Sequence, residues 1–202
     1  MFALVEDGSI TKMLSGNRGI TLDGNQYPRA IYTLWSAAER EAIGIYEVVW
    51  DNTNKKDERY YINTDVSYAF AGGVVTASYG SATAKAHADT LFTAQDESDG
   101  KGTEGEVKIK GLKTLRIEDI KRQAAVILQN TDWYIVRKAD AGTAVPSAIT
   151  THRAAVRTKC AEMETAITNA SDTPAIKTLY TSTRQEDGSY TRPLGVLPIL
   201  ED

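Results

Sequence analysis

The sequence predicts an α+β chain: a small β-rich N-terminal module followed by a C-terminal antiparallel helical hairpin. Three observations predict it. Apolar runs of strand length, punctuated by turn residues, crowd residues 1–80. Apolar residues then recur at helical spacing in two runs between 117 and 170. Pro146 stands between those runs, where a residue without an N–H breaks an uninterrupted helix.

The elements follow in order. Phe2–Val5 and Ile10–Leu14 flank Asp7-Gly8, a pair that tolerates positive φ and predicts a tight hairpin. Asp23-Gly24-Asn25-Gln26-Tyr27-Pro28 is a turn that delivers a proline-led segment. Ser36 and Glu39 have capping-box spacing, which predicts a two-turn helix over Ala37–Ile43 ended by Gly44 in the left-handed region. A strand follows at Ile45–Trp50. Beyond the charged loop Asp51–Arg59, Tyr60–Phe70 and Val74–Tyr79 read as strands around Ala71-Gly72-Gly73. Val66, Tyr68 and Phe70 alternate with Ser67 and Ala69, the period of a half-buried strand.

Ser81–Thr93 is alanine-rich and reads as helical or irregular. Ala94–Glu106 holds five acids, three glycines and no large apolar residue, and reads as a linker or exposed loop. Val107–Lys110 suits a short strand. Ile117, Ile120, Ala124, Ile127 and Leu128 predict the first hairpin helix, which ends at the aromatic corner Thr131-Asp132-Trp133. The second helix starts at Pro146 and carries the stripe Ile149, Val156, Cys160, Met163 and Ile167. Thr173-Pro174 begins a further helical turn, and Glu186-Asp187-Gly188-Ser189 a final turn. The predicted division is 1–80 for the β-rich module, 81–106 for the alanine-rich segment and acidic linker, 107–180 for the helical hairpin and 181–202 for the tail.

Bulk properties narrow the function classes. A hydrophobic content of 42% is that of an ordinary globular chain. There is no apolar run of membrane-spanning length, so no membrane partner is expected. The N-terminus has acids by residue 7 and no basic stretch, unlike a signal peptide. A lone cysteine, Cys160, permits no internal disulfide and suits a reducing compartment. The net charge of −4 is uneven: −7 over residues 1–106, +5 over 107–170 and −2 over 171–202. That pattern reads either as an ordinary mixed surface or as a basic helical part that docks on an acidic partner. Nucleic acid is not expected, because acids interrupt the basic segment and only Trp133 and Tyr134 offer stacking rings.

No catalytic grammar emerges, and neither an enzyme nor a cofactor or metal site is expected. Gly100-Lys101-Gly102-Thr103-Glu104-Gly105 matches G-x-G-x-x-G in letters alone, since acids precede it and a strand-like segment follows. The nearby acids lack the spacing of a calcium loop. His152 and Cys160 sit eight residues apart on one helix, about 12 Å along its axis, too far for a nucleophile–base dyad. His87 has no partner in sequence.

Two stretches carry a family resemblance. Thr131, Asp132 and Trp133, then Gly142, Val145 and Pro146, then Arg153, Val156 and Arg157 form a T-D-W … G-x-x-V-P … R-x-x-V-R pattern. Upstream, Asp23-Gly24-Asn25-Gln26-Tyr27-Pro28 is followed by Trp35, Glu39, Gly44-Ile45 and Tyr60-Tyr61. Together they resemble the tail assembly chaperones and tail-fibre assembly proteins of tailed bacteriophages. The resemblance implies a protein that acts by binding, assisting assembly or attachment of tail fibres, with a permanent tail, baseplate or fibre-base component of the virion as the alternative. It implies a tail-fibre or baseplate protein, or a second copy of the chain, as partner. It also implies the host cytoplasm during assembly, or the virion tail, as the location. It supplies no catalytic residues. Trp133, Arg153 and Arg157 are the candidate partner-binding residues. For Trp133 the other reading is an indole buried as a cap over the helix ends. For Arg153 and Arg157, one turn apart, it is an ordinary solvated face.

Overall fold

In the computed structural model, which describes residues 1–200, the chain is mixed α and β, with a five-stranded sheet, four two-stranded pairs and seven helices among the described residues. Glu201 and Asp202, the end of the expected 181–202 tail, lie outside the described residues. The chain divides into two compact units, Met1–Thr83 and Ala84–Asp202.

The first unit is built on strands β1 (Phe2–Glu6), β2 (Ser9–Leu14), β3 (Ile20–Leu22), β4 (Asn25–Tyr27), β5 (Ile45–Asp51), β6 (Tyr61–Ile62), β7 (Val66–Ala71) and β8 (Val74–Tyr79), with helices α1 (Ile31–Leu34) and α2 (Ala37–Glu41) between β4 and β5. Asp7 and Gly8 both have positive φ, 50° and 74°, so β1 and β2 are joined by the tight turn expected. Asp23 and Gly24, at 47° and 80°, make the same kind of turn between β3 and β4. The sheet order is β2-β1-β5-β8-β7. All neighbours are antiparallel except β5 and β8, which are parallel. The sheet curls until its edge strands β2 and β7 approach each other.

Strand β1 is buried on both faces, because period two sends its residues to two separate cores. Phe2 and Leu4 join Leu14, Ile31, Tyr32 and Ile45 on one side. Ala3 and Val5 join Val48, Val75 and Ala77 on the other, with Val66, Tyr68 and Phe70 packed against them. The Ser36–Glu39 capping box forms, and Gly44 stops the turn after α2 at φ 77°. Gly44 passes so close to β1 that an added Cβ would lie 2.7 Å from the Val5 carbonyl oxygen.

Strand β9 (Thr83–Ala84) spans the boundary, and the second unit contains β10 (Thr90–Leu91), α3 (Ala94–Ser98), β11 (Val107–Ile109), α4 (Leu112–Gln129), α5 (Asp132–Ala141), α6 (Ser147–Asn169), α7 (Thr173–Tyr180), β12 (Thr183–Arg184) and β13 (Tyr190–Thr191). Three contacts fix α4 and α6 as antiparallel. Lys113 Nζ donates to the Thr168 carbonyl, Lys121 pairs with Glu164 at 3.1 Å, and Arg153 Nη1 donates to the Leu128 carbonyl. Ile120 and Ala124 pack against Val156, Cys160, Met163 and Ile167, the stripe read from the sequence. Leu194 and Leu197, from a tail whose spacing shows no periodicity, close the same core.

Two expectations are corrected here, and an open one is decided. Residues 94–106 are not a linker. Thr93 caps α3 in a reciprocal box with Asp96, and Lys108 on β11 reaches back to the Asp96 carboxylate at 2.7 Å. The alanine-rich segment takes the irregular of its two readings and is an extended cap for α4. The carbonyls of Ala86 and His87 accept the N–H groups of Leu112 and Lys113, and Asp89 accepts from the Gly111 N–H and the Thr114 hydroxyl. Those are the donors that a helix N-terminus leaves unpaired. Last, Thr131-Asp132-Trp133 does not end a hairpin helix but starts a separate one, α5, so the two long helices are not joined by a simple turn.

Two predictions test these contacts. Gly8 and Gly44 share the same φ region, but nothing crowds Gly8. Gly8→Ala should lose about 1–2 kcal/mol of stability to left-handed strain. Gly44→Ala should lose more by at least about 1 kcal/mol, because the added methyl meets a backbone oxygen. Urea unfolding of both variants measures the difference. The hydrogen bonds from Lys108 and then from the Thr93 N–H and hydroxyl hold the Asp96 carboxyl at about 2, below its ordinary 3.8. A lowered folded pKa stabilises above the unfolded value and is lost as pH falls towards the folded one. The melting-temperature gap between the parent and Asp96→Asn should therefore narrow as pH falls from 4 to 2.

Candidate interaction surface

Helix α5 is the feature that nothing else in its unit explains. None of its residues is buried. At 100° per residue, Ile135, Ala139, Val136 and Trp133 occupy one arc of about 160°, all exposed, with the exposed acids Asp132 and Asp140 interspersed in it. Trp133 is 51% and Val136 65% exposed. The half-buried residues, Tyr134 and Arg137, lie on the opposite side. An amphipathic helix ordinarily turns its apolar stripe to the core; α5 turns it outward.

The helix is held at both ends. At its C-terminus Gly142 adopts φ 70°, the left-handed cap that ends a helix. At its start, three donors converge on the Leu128 carbonyl: the Thr131 N–H at 3.0 Å, the Thr131 hydroxyl at 2.9 Å and Arg153 Nη1 at 2.7 Å. In a continuous helix that carbonyl would accept the N–H of Asp132. Saturating it ends α4 and lets the chain turn. Arg153 Nη1 also donates to the Thr131 hydroxyl at 2.7 Å and pairs with the Asp132 carboxylate at 2.8 Å. Asp132 sits in the first turn of α5, where the helix dipole favours negative charge.

Trp133 and Tyr134 lie ring to ring, centroids 3.8 Å apart and tilted 32°. The Arg137 guanidinium stacks over both, 4.7 Å from the Trp133 centroid and 5.4 Å from that of Tyr134. These contacts fix the aromatic side chains on the helix before any partner arrives.

The three candidate residues thus separate. Trp133 is exposed, which overturns the buried-cap reading: among the described residues of its own unit no element covers the indole. Arg153 is corrected as a partner-binding residue. It is 7% exposed, and its charge is committed to its own chain at the α4–α5 corner. Arg157 is exposed, at the rim of a shallow groove of about 290 Å³ between α4 and α6. Ala124, Ala125, Leu128, Cys160 and Ala161 line it, and the Lys121–Glu164 ion pair also borders it. Trp133 is not part of that groove. Ile135, Val136 and Arg137 were not singled out from sequence. Their signal was the apolar run Tyr134-Ile135-Val136 placed directly after the break at Thr131.

The remaining chemistry is spare. The Cys160 thiol donates to Glu164, and burial first, then Glu164, raises its pKa, which disfavours the nucleophilic thiolate. The Gly100–Gly105 glycines follow helix α3 and precede strand β11, the reverse of a dinucleotide-binding order. Among the described residues no cluster of His, Cys, Asp or Glu is arranged to hold a metal ion, and no helix is long and apolar enough to cross a membrane. No protein-family model, curated protein or solved structure matches the chain.

Substitutions separate the roles. Arg153→Ala should destabilise the protein by about 2–4 kcal/mol, from lost packing and buried acceptors left under-satisfied. Arg157→Ala should stay within about 0.5 kcal/mol of the parent, and Trp133→Ala within about 1 kcal/mol. Thermal unfolding of the three single variants checks the ranking; equal effects at 153 and 157 would contradict it.

Proposed function

We propose that this chain acts by binding, as an accessory protein of a tailed-bacteriophage tail fibre, with the outward face of α5 as its principal contact. The observation that carries the proposal is the exposed arc Trp133, Ile135, Val136 and Ala139, on a helix fixed at both ends and covered by nothing among the described residues of its own unit. Exposed apolar surface rimmed by polar residues marks interaction sites. A pre-stacked tryptophan beside an arginine is the composition of an interface hot spot. The phage-like segments supply the partner class: Thr131–Trp133 and Arg153 build the corner from which α5 departs, and Gly142 to Pro146 ends it.

In this reading the antiparallel pair α4 and α6 is the rigid hairpin of the helical part, and α5 is the element it presents. Helix-in-groove recognition suits a helix of about 15 Å. Helix α5 itself carries Asp132, Arg137, Lys138 and Asp140, a net charge of zero, so its apolar side chains rather than charge set what a partner has to match. A fibre subunit that exposes unpaired strand edges or apolar surface before assembly is the kind of client such a protein shields.

Co-expression with the fibre protein, followed by pull-down, tests the proposal. Trp133→Ala combined with Val136→Ser should weaken capture at least about tenfold, a loss of about 1.4 kcal/mol, while the melting temperature stays close to the parent's. Mass spectrometry of purified particles separates the two forms of the reading. Fibre binding with absence from particles marks an assembly chaperone, and presence in particles a permanent tail component. A chain that neither captures the fibre nor enters particles would refute both.

A further inference from the structure

We infer that the hollow at the end of β2 is a binding site for a small oxyanion, a phosphate or carboxylate group. It lies within the first unit and does not rest on the reading of α5. The hollow has a volume of about 280 Å³, just under the range of small-molecule pockets. Lys12 and Arg18 line it together with Ser15, Gly16, Gly19 and Tyr32, and no carboxylate does. This runs against the composition of residues 1–83, which hold seven Lys/Arg and ten Asp/Glu.

Each part has a structural cause. Strand period two puts Lys12 on the same face of β2 as Leu14, whose side chain packs in the core with Tyr32. Arg18 comes from the loop between β2 and β3. Both cations are exposed, and neither forms an ion pair among the described residues. The loop lies tight against the fold because its glycines lack side chains. A Cβ at Gly16 would come within 3.1 Å of the Phe2 ring and 3.5 Å of the Tyr32 ring, and one at Gly19 within 2.5 Å of the Tyr27 carbonyl oxygen. Gly16 is in the left-handed region at φ 71°. Three N–H groups of the lining loop, those of Gly16, Arg18 and Gly19, donate to no acceptor among the described residues. Two unpaired cations, free amides and an aromatic wall around a carboxylate-free hollow are the components of an oxyanion site.

Amide chemical shifts of the full chain, titrated with inorganic phosphate against sodium chloride of equal ionic strength, test the inference. Saturable shifts at Ser15–Ile20 beyond the chloride control are expected. The double variant Lys12→Ala/Arg18→Ala removes only exposed side chains, and its spectrum elsewhere reports that it folds. It should bind phosphate at least tenfold more weakly. A parallel titration with acetate distinguishes the source: saturation by phosphate alone assigns a phosphoryl group, and saturation by both assigns oxyanions generally. Shifts no larger than with chloride, or a double variant that binds as the parent does, would overturn the inference.

Discussion

The Arg153 guanidinium governs the helical unit. Buried at the corner between α4 and α5, it donates to the Leu128 carbonyl and the Thr131 hydroxyl and pairs with Asp132. Removing Leu128 as an acceptor for the next turn ends α4, and pairing with Asp132 sets the start of α5. A single side chain on α6 thereby decides where one helix stops and how the next leaves. Were α4 to continue through Thr131, Trp133 and Val136 would lie farther along its own cylinder, and no projecting helix would exist. The residue reads from sequence as a surface cation because its partners are 22 and 25 positions away.

The first unit depends on a different constraint. Its central strand β1 faces two cores, so each of Phe2, Ala3, Leu4 and Val5 is buried. The same sheet curls, so that its edge strands β2 and β7 approach each other. Gly44 allows the connection after α2 to cross β1 at van der Waals range. Gly16 and Gly19 do the same for the loop that forms the cationic hollow. Close backbone approach, more than turn geometry alone, is what these three glycines supply.

The outward face of α5 and the cationic hollow share a physical logic. Each is a place where groups that a folded chain normally pairs internally are left available, apolar side chains in one and charges with amides in the other. Rigid surroundings with an unsatisfied surface lower the ordering cost of binding, because little is left to freeze when a partner arrives.

The sequence by itself determined the local elements. The Asp7-Gly8 turn, the Ser36–Glu39 box, the alternation of Val66, Tyr68 and Phe70, and the stripe from Ile149 to Ile167 all depend on residues close in the chain, and all are found as read. Pro146 was read as the first helical residue and stands one position earlier, as the N-cap. What only the tertiary structure decided depends on distant partners. The capping of α4 by residues 86–89, the ordering of 94–106 by Lys108, the entry of Leu194 and Leu197 into the helical core and the break at Thr131 have no local signature. The candidate site divides the same way. Trp133 is legible as a distinctive aromatic, but its exposure, the burial of Arg153 and the groove beside Arg157 follow from which helix faces which. Periodicity specifies that a face is apolar; only packing decides whether anything covers it.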